Sequence, residues 1–457
     1  MSGDDAAPGD GRGDLRPLRT DLRPIVEAVR EADAAAFVAV GDRFDDDLSY
    51  LTRFSGPDRP YALVVAPDDE SPDRVGRAVC CAPALFREQA EREFVAAARD
   101  PAGEATDDGG ADDDEATFHD GVAREVRTAD VGDHAGKRAA AVVDDLVDGA
   151  SAAAEGDGPT VLAPASIPHD AAVYLERSGN DLASTDAVTD ARARKTPAEV
   201  DRLRRVQRAA VAGMARAETV LAESAVVGAG EEEREAEERS GDGRRPPLRW
   251  EGAPLTTERL RREVNRGLAA RGVRDADNTV IGAGPSAADL HYVGDDPIRP
   301  GETVLLDISP RGPDGYYGDV TRTFVVDGDG GWERRAYVAV EAAREAALAE
   351  VEAGVPAKTV HGEAAAELAA YGFDPNAGEG EAGFTHGTGH GVGVSLHEGP
   401  SLSGAGELRP GHVVTVEPGV YDPEIGGVRL EDLIVVTDDG YEILAEYPFG
   451  IAPRERE

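Results

Sequence analysis

Three of the chain's nine histidines, His386, His390 and His397, fall within twelve residues of the stretch Phe384-Thr-His-Gly-Thr-Gly-His-Gly-Val-Gly-Val-Ser-Leu-His-Glu398. Four glycines lie among them, so backbone and imidazole can crowd around something small, a metal ion or an oxyanion. Acidic residues make up 90 of the 457 positions, so a lone Asp or Glu says little. An acid inside an otherwise apolar run says more. Asp307 ends Thr303-Val-Leu-Leu-Asp-Ile-Ser309, and Asp319 heads Asp-Val-Thr-Arg-Thr-Phe-Val-Val326. Glu417 lies in His412-Val-Val-Thr-Val-Glu-Pro-Gly-Val-Tyr421, and Glu431 in Val428-Arg-Leu-Glu-Asp-Leu-Ile-Val-Val-Thr437.

Singly, each acid reads as a strand-end cap or an ion-pair partner, and His390 as a satisfied core histidine. Together they point to one site. Four carboxylates converging in a dry pocket repel one another and take up protons unless cations compensate them. Two divalent cations remove that problem. Oxygen-rich ligation with one imidazole suits Mn²⁺ or Co²⁺, with Zn²⁺ and Fe²⁺ also compatible. Such a pair acidifies water and clamps both sides of a tetrahedral intermediate.

Strand alternation places Asp319, Thr321 and Thr323 on one face, so Thr321 is expected to hydrogen-bond Asp319. Arg429 shares a face with Glu431, a cation beside a buried acid. The turn Gly312-Pro-Asp-Gly315 should let Asp307 and Asp319 face each other across a hairpin.

The elements that must carry these residues follow from pattern. Length alone implies about two or three domains. Residues 1–20 read as a Gly/Asp-rich disordered tail. Residues 21–190 alternate short apolar strands with Ala-rich helices, an α/β domain. Its strands are expected at Ala34–Val40, Tyr61–Ala66, Arg77–Ala82 and Thr160–Pro164, with a helix over Gly136–Val147. About residues 100–120 an acidic insertion interrupts it. His119, His134 and His169 are scattered and read as surface or packing residues. Composition shifts at Arg192-Ala-Arg-Lys-Thr-Pro197, opening residues 195–457 with a long amphipathic helix to Glu223. A charged segment, about 228–252, has no apolar period and is expected to be a solvated loop. A second helix should span Thr256–Arg271.

Composition narrows the partners. Only 48 residues are basic, giving a net charge of −42. That balance fits a soluble, halophilic protein hydrated in concentrated salt, where screening quiets self-repulsion. No basic stripe offers a nucleic-acid surface. No apolar leader opens the chain and no run of 18 apolar residues occurs, so no membrane is implied and a cytoplasmic location is expected. Cys80 and Cys81 read as small core residues in a reducing compartment.

The acids and histidine now carry a resemblance. The order Asp307, Asp319, His390, Glu417, Glu431 resembles the five-ligand set of the pita-bread metallopeptidases, which include Xaa-Pro aminopeptidase, prolidase and methionine aminopeptidase. The words Gly-Asp-Val-Thr-Arg-Thr, His-Gly-Thr-Gly-His-Gly-Val-Gly, Val-Glu-Pro-Gly and Arg-Leu-Glu-Asp match as well. The resemblance runs from Lys195 to Phe449. It extends more weakly to Asp47-Leu-Ser-Tyr-Leu-Thr-Arg-Phe-Ser-Gly56, which is similar to a stretch of the family's smaller domain. It implies an α/β (α+β) architecture: a C-terminal pita-bread domain preceded by a smaller creatinase-like α/β domain.

The resemblance also implies roles. Asp307 would chelate one metal, His390 and Glu417 the other, and Asp319 and Glu431 would bridge the pair. Glu417 would accept the proton of the nucleophilic water. His291, in Asp289-Leu-His-Tyr292, would hold substrate and shuttle a proton. His397 would stabilise charge on the scissile carbonyl, and His386 would line a proline-side pocket. Arg429 and Thr321 would support the ligands from behind. A homodimer is implied in the same way. Where the family usually carries glycine two residues after its first aspartate, this chain has Ser309. That departure is expected to alter the hairpin tip and not the ligands.

An N-terminal domain of this size favours the proline-directed branch. The expected activity is therefore a two-metal exopeptidase cleaving peptides with proline in second position, an Xaa-Pro aminopeptidase. The alternatives are an Xaa-Pro dipeptidase (prolidase) or a hydrolase or lyase of a small non-peptide substrate. A binding module with a vestigial site is disfavoured by the complete ligand set.

Overall fold

The computed structural model describes residues 15–69, 71, 72, 74–99, 118–129, 132–147, 158–226, 245–378 and 380–456. They form two compact units, one of Pro17–Arg192 and the other from Ala193 onward with Leu15 and Arg16.

The first unit is a mixed sheet under helices. Its elements are α1 (Arg23–Glu31), β1 (Ala36–Gly41), α2 (Asp46–Thr52), β2 (Tyr61–Pro67), β3 (Gly76–Pro83), β4 (Val122–Ala129), α3 (Ala135–Val147), β5 (Thr160–Ala163), α4 (His169–Arg177) and β6 (Asp181–Ser184). The strand order is β4-β3-β2-β1-β5-β6. β2 runs antiparallel to β1 and β3, while the β3–β4, β1–β5 and β5–β6 pairs are parallel. Strands buried on both faces read as unbroken apolar runs, which is why β1, β2, β3 and β5 lie within two residues of their expected places. β4 escaped notice because Arg124, Glu125 and Arg127 interrupt its apolar positions.

Two expected boundaries move here. Thr20, assigned to a disordered tail, is buried, and Arg124 donates to its carbonyl oxygen. Residues 1–14 lie outside the described residues. Of the expected insertion about 100–120, residues 100–117 also lie outside them, but Asp120 is buried and pairs with Arg124 at 2.6 Å. Asp120 further accepts from the Leu22 amide at 2.9 Å, so composition alone misjudged a structural acid. Cys80 and Cys81 are buried and unbridged on β3.

The second unit opens on α5 (Pro197–Glu223), started by Thr196 and Glu199 in a capping box with Pro197 at its first turn. There follow β7 (Arg249–Trp250), β8 (Ala253–Pro254), α6 (Thr257–Ala270), β9 (Thr279–Ala283), β10 (Thr303–Ile308) and β11 (Val320–Val325). The remainder comprises α7 (Trp332–Ala349), α8 (Ala357–Ala370), β12 (Val413–Val416), β13 (Gly419–Asp422), β14 (Gly426–Arg429), β15 (Asp432–Thr437) and β16 (Gly440–Ile443).

Two layered halves result. α5 and α6 cover the β11-β10-β9 sheet through Val206, Ala210, Leu260, Val264, Ile281 and Leu306. α7 and α8 cover the β12-β15-β16 sheet through Val340, Ala343, Val360, Val414 and Ile434. Polar strand contacts join the halves: Glu431 donates its amide to the Thr321 carbonyl at 3.1 Å, and Arg429 donates its amide to the Thr323 hydroxyl at 3.1 Å. The seam between the halves is where the acids lie.

The segment expected as a solvated loop, 228–252, divides. Residues 227–244 lie outside the described residues, whereas Leu248 and Trp250 are buried in the core of this unit. The guanidinium groups of Arg216 and Arg259 sit 5.4 and 4.8 Å from the Trp250 ring. A two-residue strand is too short to announce itself by periodicity.

Candidate metal centre

Three acids meet at the seam. Antiparallel pairing sets Asp307 of β10 opposite Thr321 of β11, and the same register carried outward sets Ser309 opposite Asp319. Asp307 and Asp319 are thus diagonal neighbours on one face rather than directly opposed. Asp319 is fixed from behind by Gln207 of α5, whose amide accepts from the Asp319 backbone N–H at 2.7 Å and donates to its carbonyl at 2.6 Å. Glu431, between β14 and β15, accepts from the Thr321 hydroxyl at 2.7 Å. Ligand oxygens of Asp307, Asp319 and Glu431 lie within 4.8 Å of one another.

His390 and Glu417 close the group. The His390 Nδ1 faces the Gly391 carbonyl at 3.1 Å, so that nitrogen carries the proton and Nε2 is left for the acids. Nε2 lies 3.3 Å from Glu417 Oε1 and 3.8 Å from Asp319 Oδ2. Thr415 serves both: its hydroxyl accepts from the His390 amide at 3.0 Å and donates to Glu417 at 3.1 Å. All five residues singled out as ligands are therefore near neighbours.

The surrounding residues arrange themselves differently from expectation. Thr321 bonds Glu431 and not Asp319; the hydroxyl on Asp319 belongs to Ser309, at 2.8 Å, which also lies 3.1 Å from Asp307. Alternation named the right face but not which acid the strand twist brings within reach. Arg429 was expected beside Glu431, but its guanidinium grips Asp307 at 2.5 Å, Thr321 at 3.2 Å and Tyr421 at 3.1 Å. It reaches Glu431 through Thr321. His386 has both ring nitrogens engaged, with the Gly387 carbonyl and the Tyr421 hydroxyl, each at 2.7 Å. Burial, then Arg429, pushes its pKa down to about 3, so the ring is neutral and accepts from Tyr421. It is thereby tied into an Asp307–Arg429–Tyr421–His386 chain, with no ring nitrogen left over for a ligand.

His397 is exposed, with its ring centroid 4.3 Å from that of His390. His291 is also exposed and lies near enough to His397 to add, after burial and His390, to the lowering of its titration. His397 thus combines solvent exposure with a ring contact to a member of the acid group.

Sequence reasoning missed Ser309, Tyr421, Gln207 and Thr415. Ser309 was legible: it lies two positions beyond Asp307, on the same strand face. Its hydroxyl sits between two acids, so the departure from glycine touches the candidate ligands themselves. Gln207 gave no signal, since a glutamine on a long helix is ordinary until a strand arrives beside it.

Electrostatics test whether a cation suits this site. Burial, then the charges of Asp307 and Glu417, pushes Asp319 well above the usual carboxylate range. Burial, then Asp319, Glu417 and Asp307, does the same to Glu431. Glu417 is raised by burial, against the pull of Arg429 and His390. For Arg429 burial works against the charge, but Tyr421, Asp307, Glu417 and Glu431 outweigh it and hold the guanidinium firmly protonated. One arginine does not balance four carboxylates. A divalent cation fits the donor set, the burial and the repulsion.

A pH dependence follows. Where a folded carboxyl titrates above its unfolded value, the folded state binds more protons, so stability falls as pH rises through that interval. The metal-free protein should lose stability upward from the ordinary carboxylate range as Asp319, Glu417 and Glu431 are forced to ionise. Added Mn²⁺ should release protons on binding and raise the melting temperature more at pH 7 than at pH 5. Calorimetry in two buffers of different ionisation enthalpy measures the protons. Their absence would mean the acids are already ionised without metal.

The chain is similar to known proteins in sequence and in fold. The family described as Metallopeptidase family M24 matches residues 201–438, more than half of the chain. Among curated relatives, the Probable dipeptidase PepE of Mycobacterium tuberculosis (strain ATCC 25618 / H37Rv) is 32% identical over 181 residues, 39% of this chain and 46% of the relative. The Xaa-Pro dipeptidase of Pyrococcus horikoshii is 37% identical over 176 residues, 38% of this chain and 48% of the relative. The chain thus spans about half the length of the curated relatives it matches. Among solved structures, the prolidase from Pyrococcus furiosus superposes with a TM-score of 0.66 at 20% identity, covering 93% of this chain and all of that one. The dipeptidase PepE from Mycobacterium ulcerans gives 0.68 at 24% identity, over 94% and 96%. These superpositions establish the fold. Among the described residues no helix is long and apolar enough to cross a membrane.

Proposed function

Since the chain belongs to metallopeptidase family M24, we propose that it is a metal-dependent hydrolase of Xaa-Pro bonds, acting on dipeptides. The observation that carries this reading is the group of half-buried Asp307 with buried Asp319 and Glu431, completed by His390 and Glu417. Those five residues would hold two divalent ions, with Mn²⁺ suited to the oxygen-rich set. When bound, such ions supply Lewis acidity, polarising a peptide carbonyl and making water acidic enough to serve as nucleophile at neutral pH.

The chain's own residues supply the rest. Glu417, oriented by Thr415 and raised by burial, is suited to accept a proton from the attacking water. His397, exposed beside His390, faces the carbonyl oxygen and donates to it as negative charge develops. His291, exposed like His397, would hold the substrate and pass the proton toward the leaving amine. His386 would line the proline-side pocket with its ring face, held in place by the Gly387 carbonyl and by Tyr421, which links it through Arg429 to Asp307. Proline has no N–H and restricts its neighbour, so a site that reads the ring by shape handles a bond that general proteases cleave poorly.

The choice of dipeptides over longer peptides departs from the aminopeptidase expected from sequence. What supports it is that the relatives similar to this chain are named dipeptidase and Xaa-Pro dipeptidase. Incubating Mn²⁺-loaded protein in concentrated salt with Ala-Pro, Ala-Pro-Pro and Ala-Ala-Ala tests it. Cleavage of Ala-Pro alone is expected. Cleavage of Ala-Pro-Pro at a comparable rate would return the aminopeptidase, and no cleavage at all would overturn the peptidase reading.

A further inference from the structure

One buried ion pair in this unit takes no part in holding the acids. Lys195 Nζ pairs with Glu398 Oε1, and the two side chains are 1% and 5% exposed. We propose that this pair is a positioning device for His397, setting its ring against His390 on the open side of the site. The proposal rests on the substrate-facing role given to His397 above.

A short antiparallel contact sets the geometry. Gly391 and Glu398 exchange two backbone hydrogen bonds, each 2.9 Å, so they face each other and point their side-chain positions to the same side. Alternation then sends the neighbours, His390 and His397, together to the opposite side, as diagonal partners 4.3 Å apart. Glu398 is the handle on the far side of that contact, and what grips it decides where His397 points. A Cβ added at Gly393 would lie 2.2 Å from Glu398 Oε1, so the glycine there makes room for the carboxylate to turn inward.

The grip itself is rigid. Lys195 immediately precedes the Thr196 cap of α5. Its amide donates to Gly411 at 2.7 Å, and its Nζ also donates to the Ala193 carbonyl at 3.2 Å. Only three of the 48 basic residues are lysines, yet one stands here. A compact ammonium with three donors meets a carbonyl and a carboxylate at one point, which a planar guanidinium does not. The same helix end holds the hairpin of Asp307 and Asp319, because Glu199 Oε1 accepts from the Tyr316 hydroxyl at 2.7 Å. One helix start therefore registers the histidine loop against the acid hairpin.

Removing one partner of a buried pair leaves an uncompensated charge, and the loop must shift to hydrate it. A displacement near 1 Å at a reacting group costs on the order of 100-fold in rate. Lys195→Met should therefore lower kcat on Ala-Pro by about 10–100-fold, leave Mn²⁺ affinity unchanged by calorimetry, and speed amide exchange at Gly391 and Glu398. Amides of β12 should stay protected. Lys195→Arg should behave like Lys195→Met. The double variant Lys195→Met/Glu398→Met removes the charge imbalance, so it should regain thermal stability but neither rate nor protection. A double variant with wild-type kcat, or a Lys195→Met variant whose Gly391 and Glu398 amides stay protected, overturns the proposal. If the wild-type protein cleaves none of the peptides, the peptidase reading fails, and the exchange measurement alone decides the positioning.

Discussion

Replacing Glu431 with alanine should abolish metal retention and peptide hydrolysis together. Loss of a ligand's outer partner already costs about 10–100-fold in metal affinity or activity, and removing a central carboxylate should cost more. Glu431 is 2% exposed and belongs to the group whose oxygens lie within 4.8 Å of one another. The same substitution has an opposite effect on the metal-free fold. Glu431 is raised by burial and by Asp319, Glu417 and Asp307, so its ionised form opposes folding at neutral pH. In chelator, Glu431→Ala should melt at or above the wild-type temperature at pH 7. Added Mn²⁺ should raise the melting point of the wild type and not of the variant. A variant that melts far below the wild type in chelator would show that Glu431 is structural rather than a ligand held under strain.

His390 and His397 offer the second large effect, because two rings 4.3 Å apart are assigned different work. His390 turns Nε2 to Glu417 and Asp319, whereas His397 is exposed and makes no hydrogen bond or ion pair among the described residues. Burial, then His390, holds the His397 pKa below its ordinary value although one side of the ring meets solvent. His390→Ala should lose metal and turnover together. His397→Ala should keep its metal yet lose about 10²–10³-fold in kcat, the cost of one donor aimed at a developing negative charge. Metal content by plasma emission and single-turnover rates separate the two. If His397→Ala loses metal as His390→Ala does, the division between ligand and substrate residue is wrong.

How far the sequence announced this site depends on what kind of signal each residue sends. Asp307, Asp319, Glu417 and Glu431 were conspicuous because a carboxylate in an apolar strand is costly and so informative. β1, β2 and α5 were legible for a related reason: buried strands and capped amphipathic helices impose patterns on every residue they contain. The partners of Thr321 and Arg429 were not legible. Both sit on the anticipated face, but which acid each meets is set by how β11 and β14 cross, and no local period records that. Gln207 and Lys195 lie further out of reach. Each acts on a segment more than a hundred residues away, so its meaning exists only after the chain has closed. Asp120, lost among the acids of an interrupted stretch, shows the reverse error, where composition concealed a buried ion pair.

Hydrolysis is expected to depend on divalent ions held by these five residues. Titrating the chelator-stripped 457-residue chain with Mn²⁺, while Ala-Pro hydrolysis is followed in the same samples, tests this. Expected are no turnover without metal, turnover that rises until two ions are bound per chain, and a flat response from Glu431→Ala. Full turnover by the stripped protein, or metal-restored turnover by Glu431→Ala, would contradict it.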